Sequence, residues 1–392
     1  MKRDTKLVTA GRGTKRDAKA GGHVVNTPVY HASTILFDTV AELRHAIANK
    51  DDVLYYGRRG TPTQESFKAA LNEFDGGVGC LLYPSGVAAI TSAILAFVRQ
   101  GDHILVADSV YEPTRVFCNL GLKRLGVETT YYDPMIGSGI EALFQDNTRL
   151  VFTEAPGSLT FEMQDIPAIA EVAHAHDAVV LMDNTWATPL FCDALALGVD
   201  VSILSCTKYI VGHSDAMLGS ASADEKAWPL LKRAAYMLGQ TAAPDDVYLA
   251  SRGLRTLGVR LKQHEESAIR IAKWLEGRDE VDRVRHPAFE TCPGHEIWKR
   301  DFTGSSGLFS FTFKGGDDEA RTAFLDAMDL FKMGFSWGGF ESLSLPADPE
   351  KMRTATSWGG TGPLVRLQIG LEDPEDLIAD LEKGFSAFRK AV

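Results

Sequence analysis

Between residues 65 and 223, short apolar runs rich in Val, Ile and Leu recur between segments with helical spacing. The runs predict strands over 80–83, 103–107, 128–132, 149–154, 179–183 and 201–205. The spacing between them predicts helices over 65–74, 87–97, 113–125 and 166–174. Strands apolar along their whole length and separated by helices form a mostly parallel α/β sheet with helices on both faces. In such a sheet, ligands sit beyond the carboxyl ends of the strands.

After about residue 250 the pattern changes. One long helix is predicted over 248–275, broken or bent near Gly253 and Gly258. An alternating strand over 307–313, a helix over 319–328, a strand over 364–370 and a terminal helix over 377–389 follow. They describe a smaller α+β unit packed beside the first. Up to about residue 60 only 40–48 has clear periodicity, so the segment reads as an arm, and its apolar content over 24–37 favours a place on another subunit. The expected organisation is an arm over 1–60, a large α/β domain over 61–254 and a C-terminal α+β domain over 255–392.

Composition narrows the function classes. The chain has 392 residues, 45% of them hydrophobic, enough to supply two ordinary cores. A net charge of −11 argues against nucleic acid or an anionic membrane surface as partner. Residues 76–98 carry no charge, but Pro84, Ser85 and Gly86 interrupt the run, which then reads as strand, turn and buried helix, not as a membrane span. The basic N-terminus lacks an apolar core for secretion, so the cytoplasm is the expected location. Five cysteines without short spacings fit reduced, buried thiols and neither a disulfide framework nor a metal site.

Neither a dinucleotide fingerprint nor a Gly-Lys phosphate loop occurs. His213 and Asp215 follow too closely on Lys208 for a hydrolase triad. Pro84-Ser85-Gly86-Val87 joins a strand to a helix, and a glycine there lets backbone N–H groups approach a phosphate at the helix N-terminus. Lys208 stands at a strand end between Ser205, Thr207 and the apolar Tyr209-Ile210-Val211. Burial depresses a lysine's pKa, and the neutral amine forms a Schiff base with a cofactor aldehyde. Asp183 ends the run Val179-Val180-Leu181-Met182 at the same sheet edge, where a carboxylate keeps a pyridine nitrogen protonated. The pair points to pyridoxal 5′-phosphate (PLP) held between Asp183 and a Schiff base on Lys208.

With Tyr56-Gly57-Arg58, Ser85-Gly86, Tyr111, Asp183-Asn184-Thr185, Ser205-Cys206-Thr207-Lys208 and Ser336-Trp337-Gly338-Gly339 in this order, the chain resembles the Cys/Met-metabolism family of PLP enzymes over essentially its whole length. The resemblance implies the aspartate aminotransferase-like PLP-transferase fold. It implies that Lys208 carries the cofactor and then moves the Cα proton, that Tyr111 stacks on the ring, and that Gly86, Val87, Ser205 and Thr207 hold the phosphate. Tyr56 and Arg58 are expected at the neighbouring subunit's site, with Tyr56 beside the reacting atoms, in a homotetramer with shared active sites. Arg366 is expected to clamp the α-carboxylate of an amino-acid substrate, with Ser336, Trp337 and Arg59 also on the substrate side. Relatives acting at Cγ carry an acid where this chain has Phe335, so the resemblance favours elimination at Cβ, taking L-cystathionine to homocysteine, pyruvate and ammonia. Ser158 stands where many relatives have asparagine, so no ring contact is expected from it. The alternatives are a γ-lyase, a γ-synthase or a cysteine desulfhydrase on the same scaffold, a PLP-holding regulatory or binding protein, and an α/β enzyme without PLP.

Overall fold

The computed structural model describes residues 1–12, 24–360 and 362–392; residues 13–23 of the expected arm lie outside them. Strands β1 (Gly79–Tyr83), β2 (His103–Ala107), β3 (Glu128–Tyr132), β4 (Thr148–Glu154), β5 (Val179–Asp183), β6 (Val201–Leu204) and β7 (Gly219–Ala223) form one sheet, ordered β1-β7-β6-β5-β4-β2-β3. Neighbours from β6 to β3 pair in parallel, whereas β7 is antiparallel to both β1 and β6. Alternate strand residues enter two cores. Leu82, Leu105, Val151, Val180 and Met182 pack on one face, and Leu81, Ile104, Phe152, Leu181 and Ile203 on the other. Because both faces are buried, the strands read as continuous apolar runs, and the mostly parallel sheet expected from them is present.

Strand β7 escaped the sequence reading because Gly-Ser-Ala-Ser-Ala has no β-branched or large apolar side chain, yet all five residues are buried. A second sheet, of β8 (Val281–Arg285), β9 (Leu308–Phe313), β10 (Lys332–Met333), β11 (Leu343–Ala347) and β12 (Leu364–Gln368), has the order β10-β11-β12-β9-β8. Phe309, Phe311 and Phe313 of β9 pack with Phe324 and Phe385 from its covering helices.

The helix Pro244–Glu276 joins the two cores. Val247, Leu254 and Leu261 enter the first, and Ala268, Ile271 and Leu275 the second. It runs as one 33-residue helix, correcting the expected break near Gly253 and Gly258. At Gly253 a Cβ would lie 2.2 Å from Ile210 O and 2.4 Å from Val211 O, so the glycine serves close backbone approach. The segment expected as one helix over 113–125 is a short α-helix, Glu112–Val116, widening into a π-helical stretch, Phe117–Leu122. An unexpected helix, Arg3–Thr9, lies on its own chain, with Arg255 Nη1 donating to Leu7 O at 2.9 Å.

All five cysteines are free and buried. Among the described residues no helix is long and apolar enough to cross a membrane. No group of three or more His, Cys, Asp or Glu there is arranged to hold a metal ion.

Candidate active site

Strands β1, β2, β4, β5 and β6 deliver Ser85, Asp108, Glu154, Asp183 and Ser205 at or just beyond their carboxyl ends. Ser85 caps the helix Gly86–Phe97, its Oγ accepting from Ala88 N at 3.2 Å. A Cβ on Gly86 would sit 2.6 Å from the Cβ and Oγ of Ser205, so the absence of a side chain lets these two loops touch. Val87 is the second residue of that helix, whose first turn has N–H groups without intrahelical partners. Ser205 N is fixed by Thr185 Oγ1 at 2.8 Å. The Thr207 hydroxyl, expected to face a phosphate, is tied to Leu218, accepting from its N at 2.9 Å and donating to its O at 3.3 Å.

Lys208 lies immediately beyond this cradle. Its Nζ donates to Ser336 Oγ at 2.9 Å and lies 5.2 Å from the centre of the Trp337 ring. Burial pushes its pKa down to about 8, Arg366 adds to the shift, and Asp183 opposes it. The downstream stretch is held against the lysine by Gly338, whose φ of +80° is left-handed and whose added Cβ would meet Tyr209 N at 2.9 Å and Lys208 C at 3.0 Å. Gly334 to Gly338 also has the Gly-x-Ser-x-Gly spacing of a hydrolase nucleophile, which the sequence reading passed over, but Ser336 bonds a lysine and the stretch joins two strands of the second sheet.

Asp183 takes both Thr185 bonds on one oxygen, from Thr185 N at 3.0 Å and from Thr185 Oγ1. Its Oδ2 has no hydrogen-bond partner among the described residues. Burial raises its pKa, outweighing the Thr185 bonds and the attraction of Lys208. Glu154, its register partner on β4, is pushed well up by burial and by Asp183, and its Oε2 accepts from Tyr111 N at 2.8 Å. Sequence reasoning gave Glu154 no role; an acid ending an apolar strand beside Asp183 was the available signal. Tyr111 is 40% exposed, and burial, Asp183 and Glu154 raise its pKa while Arg366 opposes them.

Arg366, on β12, donates from Nη2 to Gly334 O at 3.3 Å and to Ser336 O at 3.2 Å. It is half-buried and has no carboxylate partner among the described residues. Burial lowers its pKa to about 10, and Tyr111 works against this. Phe335 stands 92% exposed beside Ser336. The arm residues lie apart from this group within the chain. Arg58 Nη1 donates to Tyr236 O at 3.4 Å and lies 6.0 Å from the Tyr56 ring, while Arg59 pairs with Asp51 and stacks 4.0 Å over Tyr236. Ser158 N is held by Ser109 O at 2.8 Å.

Three features suit pyridoxal phosphate. A helix N-terminus and Ser205 meet without an intervening side chain, as an anion requires. A largely desolvated carboxylate with one oxygen free of hydrogen bonds makes no ion pair among the described residues, and a protonated pyridine nitrogen would supply one. A part-buried lysine with a lowered pKa lies within electrostatic reach of that carboxylate.

Comparison with known proteins agrees. Residues 4–386 match the family model described as Cys/Met metabolism PLP-dependent enzyme. The chain is 55% identical over 367 residues to a putative cystathionine β-lyase of Rhizobium johnstonii, covering 93% of this chain and 91% of that one. It is 48% identical over 392 residues to the cystathionine β-lyase MetC of Escherichia coli, covering 98% of each. Among solved structures, a cystathionine γ-synthase of Xanthomonas oryzae pv. oryzae, in complex with aminoacrylate and cysteine, superposes with a TM-score of 0.89 at 32% identity over the full length of both chains. Its cofactor is thus pyridoxal phosphate, and the chain belongs to the Cys/Met-metabolism family of PLP-dependent enzymes.

Proposed function

We propose that the protein is a carbon–sulfur β-lyase that cleaves L-cystathionine to L-homocysteine, pyruvate and ammonia. The observation that carries this reading is the group formed by Lys208 Nζ on Ser336 Oγ, the guanidinium of Arg366, which has no carboxylate partner among the described residues, and the apolar, exposed Phe335 that precedes Ser336. Similarity over more than nine-tenths of the chain to cystathionine β-lyases of two bacteria, one of them putative, supports it.

Gly86, Val87 and Ser205 would hold the cofactor phosphate, Asp183 the ring nitrogen, and Tyr111 one ring face. Bound there, the cofactor supplies an electron sink that acidifies the Cα–H of an amino acid. Arg366, its Nη2 anchored on the Gly334 and Ser336 carbonyls, would offer its remaining N–H groups to the substrate α-carboxylate. Lys208 Nζ, whose pKa near 8 leaves a useful fraction neutral at physiological pH, takes the Cα proton, and Ser336 Oγ fixes where that nitrogen points. Beside a thioether, Phe335 offers no carboxylate to shuttle protons at Cβ, so release at Cβ competes over release at Cγ.

The proposal extends to assembly. Val24, Val25, Leu36, Val40 and Ile47 are more than half exposed on the arm, and a second copy of the chain covering them in a homotetramer would carry Tyr56, Arg58 and Arg59 to its neighbour's site. The arm, large domain and C-terminal domain are divided near residues 60 and 254 on the same reading, and the enzyme is placed in the cytoplasm. The deciding assay is the keto acid formed from cystathionine: pyruvate supports the reading, 2-oxobutyrate replaces it with Cγ cleavage, and a wild-type rate in Lys208→Ala refutes the mechanism.

A further inference from the structure

The segment 353–356, between β11 and β12, crosses to the carboxyl edge of the large sheet and docks on Asp108, just after β2. The Asp108 side chain is fully buried and accepts from three successive amides, Thr354 N at 3.0 Å, Ala355 N at 2.9 Å and Thr356 N at 2.9 Å. The hydroxyls of Thr354 and Thr356 donate to it as well, at 3.3 and 3.0 Å. Arg115 Nη2 completes the set with an ion pair at 2.5 Å, and its Nη1 reaches Thr354 Oγ1 at 3.3 Å. Burial alone would raise the Asp108 pKa, but the amides of Thr354 and Thr356 and the Arg115 guanidinium outweigh it and hold the carboxylate ionised. The next residue along, Arg353, is itself buried and pairs with Glu162 at 2.7 Å while donating to Thr160 Oγ1 at 2.5 Å.

These contacts hold the chain segments on either side of Tyr111. Asp108 precedes it by three residues and Arg115 follows it by four, on the helix that Tyr111 begins. Glu162 and Thr160 lie on the loop after β4, and Glu154, which ends β4, receives the Tyr111 N–H. The strap therefore joins both chain segments that fix Tyr111 to the hairpin whose far strand, β12, bears Arg366. The two buried ion pairs it uses, Asp108–Arg115 and Arg353–Glu162, are charge-balanced and leave no net charge to solvate. A loop needed only to connect β11 with β12 has no reason to place three amides and two hydroxyls on one carboxylate of the other sheet.

We propose that Asp108, Thr354, Thr356 and Arg353 form a positioning strap that sets the distance between Tyr111, on the cofactor side, and Arg366, on the substrate side. The inference rests on the site assignment made above, but its test does not depend on which thioether is cleaved. Purified holoenzyme is compared as wild type, Asp108→Asn, the double variant Thr354→Ala/Thr356→Ala and the conservative Thr354→Ser/Thr356→Ser. Cofactor content and the visible circular dichroism of bound cofactor, which reports how the ring is held, are measured beside kcat and KM.

The expected result is full cofactor content, a visible dichroic band changed at least twofold, and kcat/KM about tenfold lower in the Ala/Ala variant, with more of the loss in KM than in kcat and with Ser/Ser restoring both. Asp108→Asn presents an amide nitrogen to a cluster of donors and should show the larger change. Should Asp108→Asn fail to fold, the Ala/Ala variant decides, because it leaves the three backbone bonds in place. An unchanged dichroic band overturns the proposal, whatever happens to the melting temperature. Were wild-type enzyme to yield no pyruvate, the lyase reading would fail while the dichroic comparison still judged the strap.

Discussion

Glu154 and Asp183 are register partners at the ends of the adjacent parallel strands β4 and β5, and each carboxylate raises the pKa of a neighbour in the site. Glu154 is pushed up the further of the two, first by burial and then by Asp183, so its charged form is the more disfavoured of the pair. Glutamine copies the protonated acid and still accepts from Tyr111 N. Glu154→Gln should therefore stay within about threefold of wild-type kcat/KM at pH 7, whereas Glu154→Ala should lose about tenfold, the worth of one buried hydrogen bond. A pH–rate series checks the sign. Wild type should fall below the glutamine variant as pH rises and Glu154 ionises beside Asp183; coincident alkaline limbs would remove Glu154 from this role.

Lys208 gives a second pH signature. In the cofactor-free protein its pKa is held near 8, first by burial and then by Arg366, against the pull of Asp183. Cofactor attachment needs the neutral amine, so its rate should rise through about pH 8 and not through the ordinary lysine range near 10.5. Arg366→Met removes a cation and should move the midpoint upward. Stopped-flow absorbance after mixing cofactor with apoenzyme reads both; an unmoved or lowered midpoint would mean that Arg366 does not act on this nitrogen.

The site and the sheet were legible to different degrees for physical reasons. Strands buried on both faces announce themselves as runs of Val, Ile and Leu, which is why β2 and β5 fall on the expected residues; the edge strand β3 shows instead through its Thr and Tyr, while β7, built of glycine, serine and alanine, left no such trace. Lys208 and Asp183 were readable because a charged residue ending an apolar run needs a local reason. Asp108 ends a similar run and has Arg115 nearby, but its amide and hydroxyl partners stand about 246 residues away, and nothing near it in sequence signals a strap. Gly253 was misread because helix propensity describes an isolated helix, and the Ile210 and Val211 carbonyls that require a glycine there belong to another element.

Asp75, at the end of the helix Pro62–Asp75, titrates in the opposite sense from a salt-bridged acid. Burial raises its pKa to about 7, the hydroxyls of Ser222 and Ser202 only partly offset this, and Asp193 adds to it. The folded state thus binds this proton more tightly than the unfolded state. Its stabilising contribution is complete below the unfolded pKa near 3.8 and is lost as pH rises through about 7. Asp75→Asn should be more stable than wild type at pH 8, by roughly 1–3 kcal/mol, with the gap closing towards pH 5. Urea unfolding at the two pH values measures it, and a gap that widened on acidification would reverse the assignment.

Gly253 and Gly258 sit five residues apart on the helix Pro244–Glu276, and intrinsic propensity predicts that alanine at either stabilises by about 1 kcal/mol. Packing separates them. An added Cβ at Gly258 first meets Asp4 Oδ1 at 2.8 Å, the end of a side chain 59% exposed that swings aside at little cost, so Gly258→Ala should be neutral or slightly stabilising. At Gly253 the obstacle is backbone, Ile210 O at 2.2 Å, and Arg260 Nη2 bridges Gly253 O and Ile210 O at 2.8 and 3.3 Å, so neither segment can withdraw alone. Overpacking of this kind costs about 1–3 kcal/mol, which exceeds the propensity gain, and Gly253→Ala should lower the urea midpoint. Because Ile210 is two residues from Lys208, the same substitution should lower kcat. A Gly253→Ala protein that was more stable and fully active would show that the approach of this helix to the lysine loop has slack, contrary to the contacts seen.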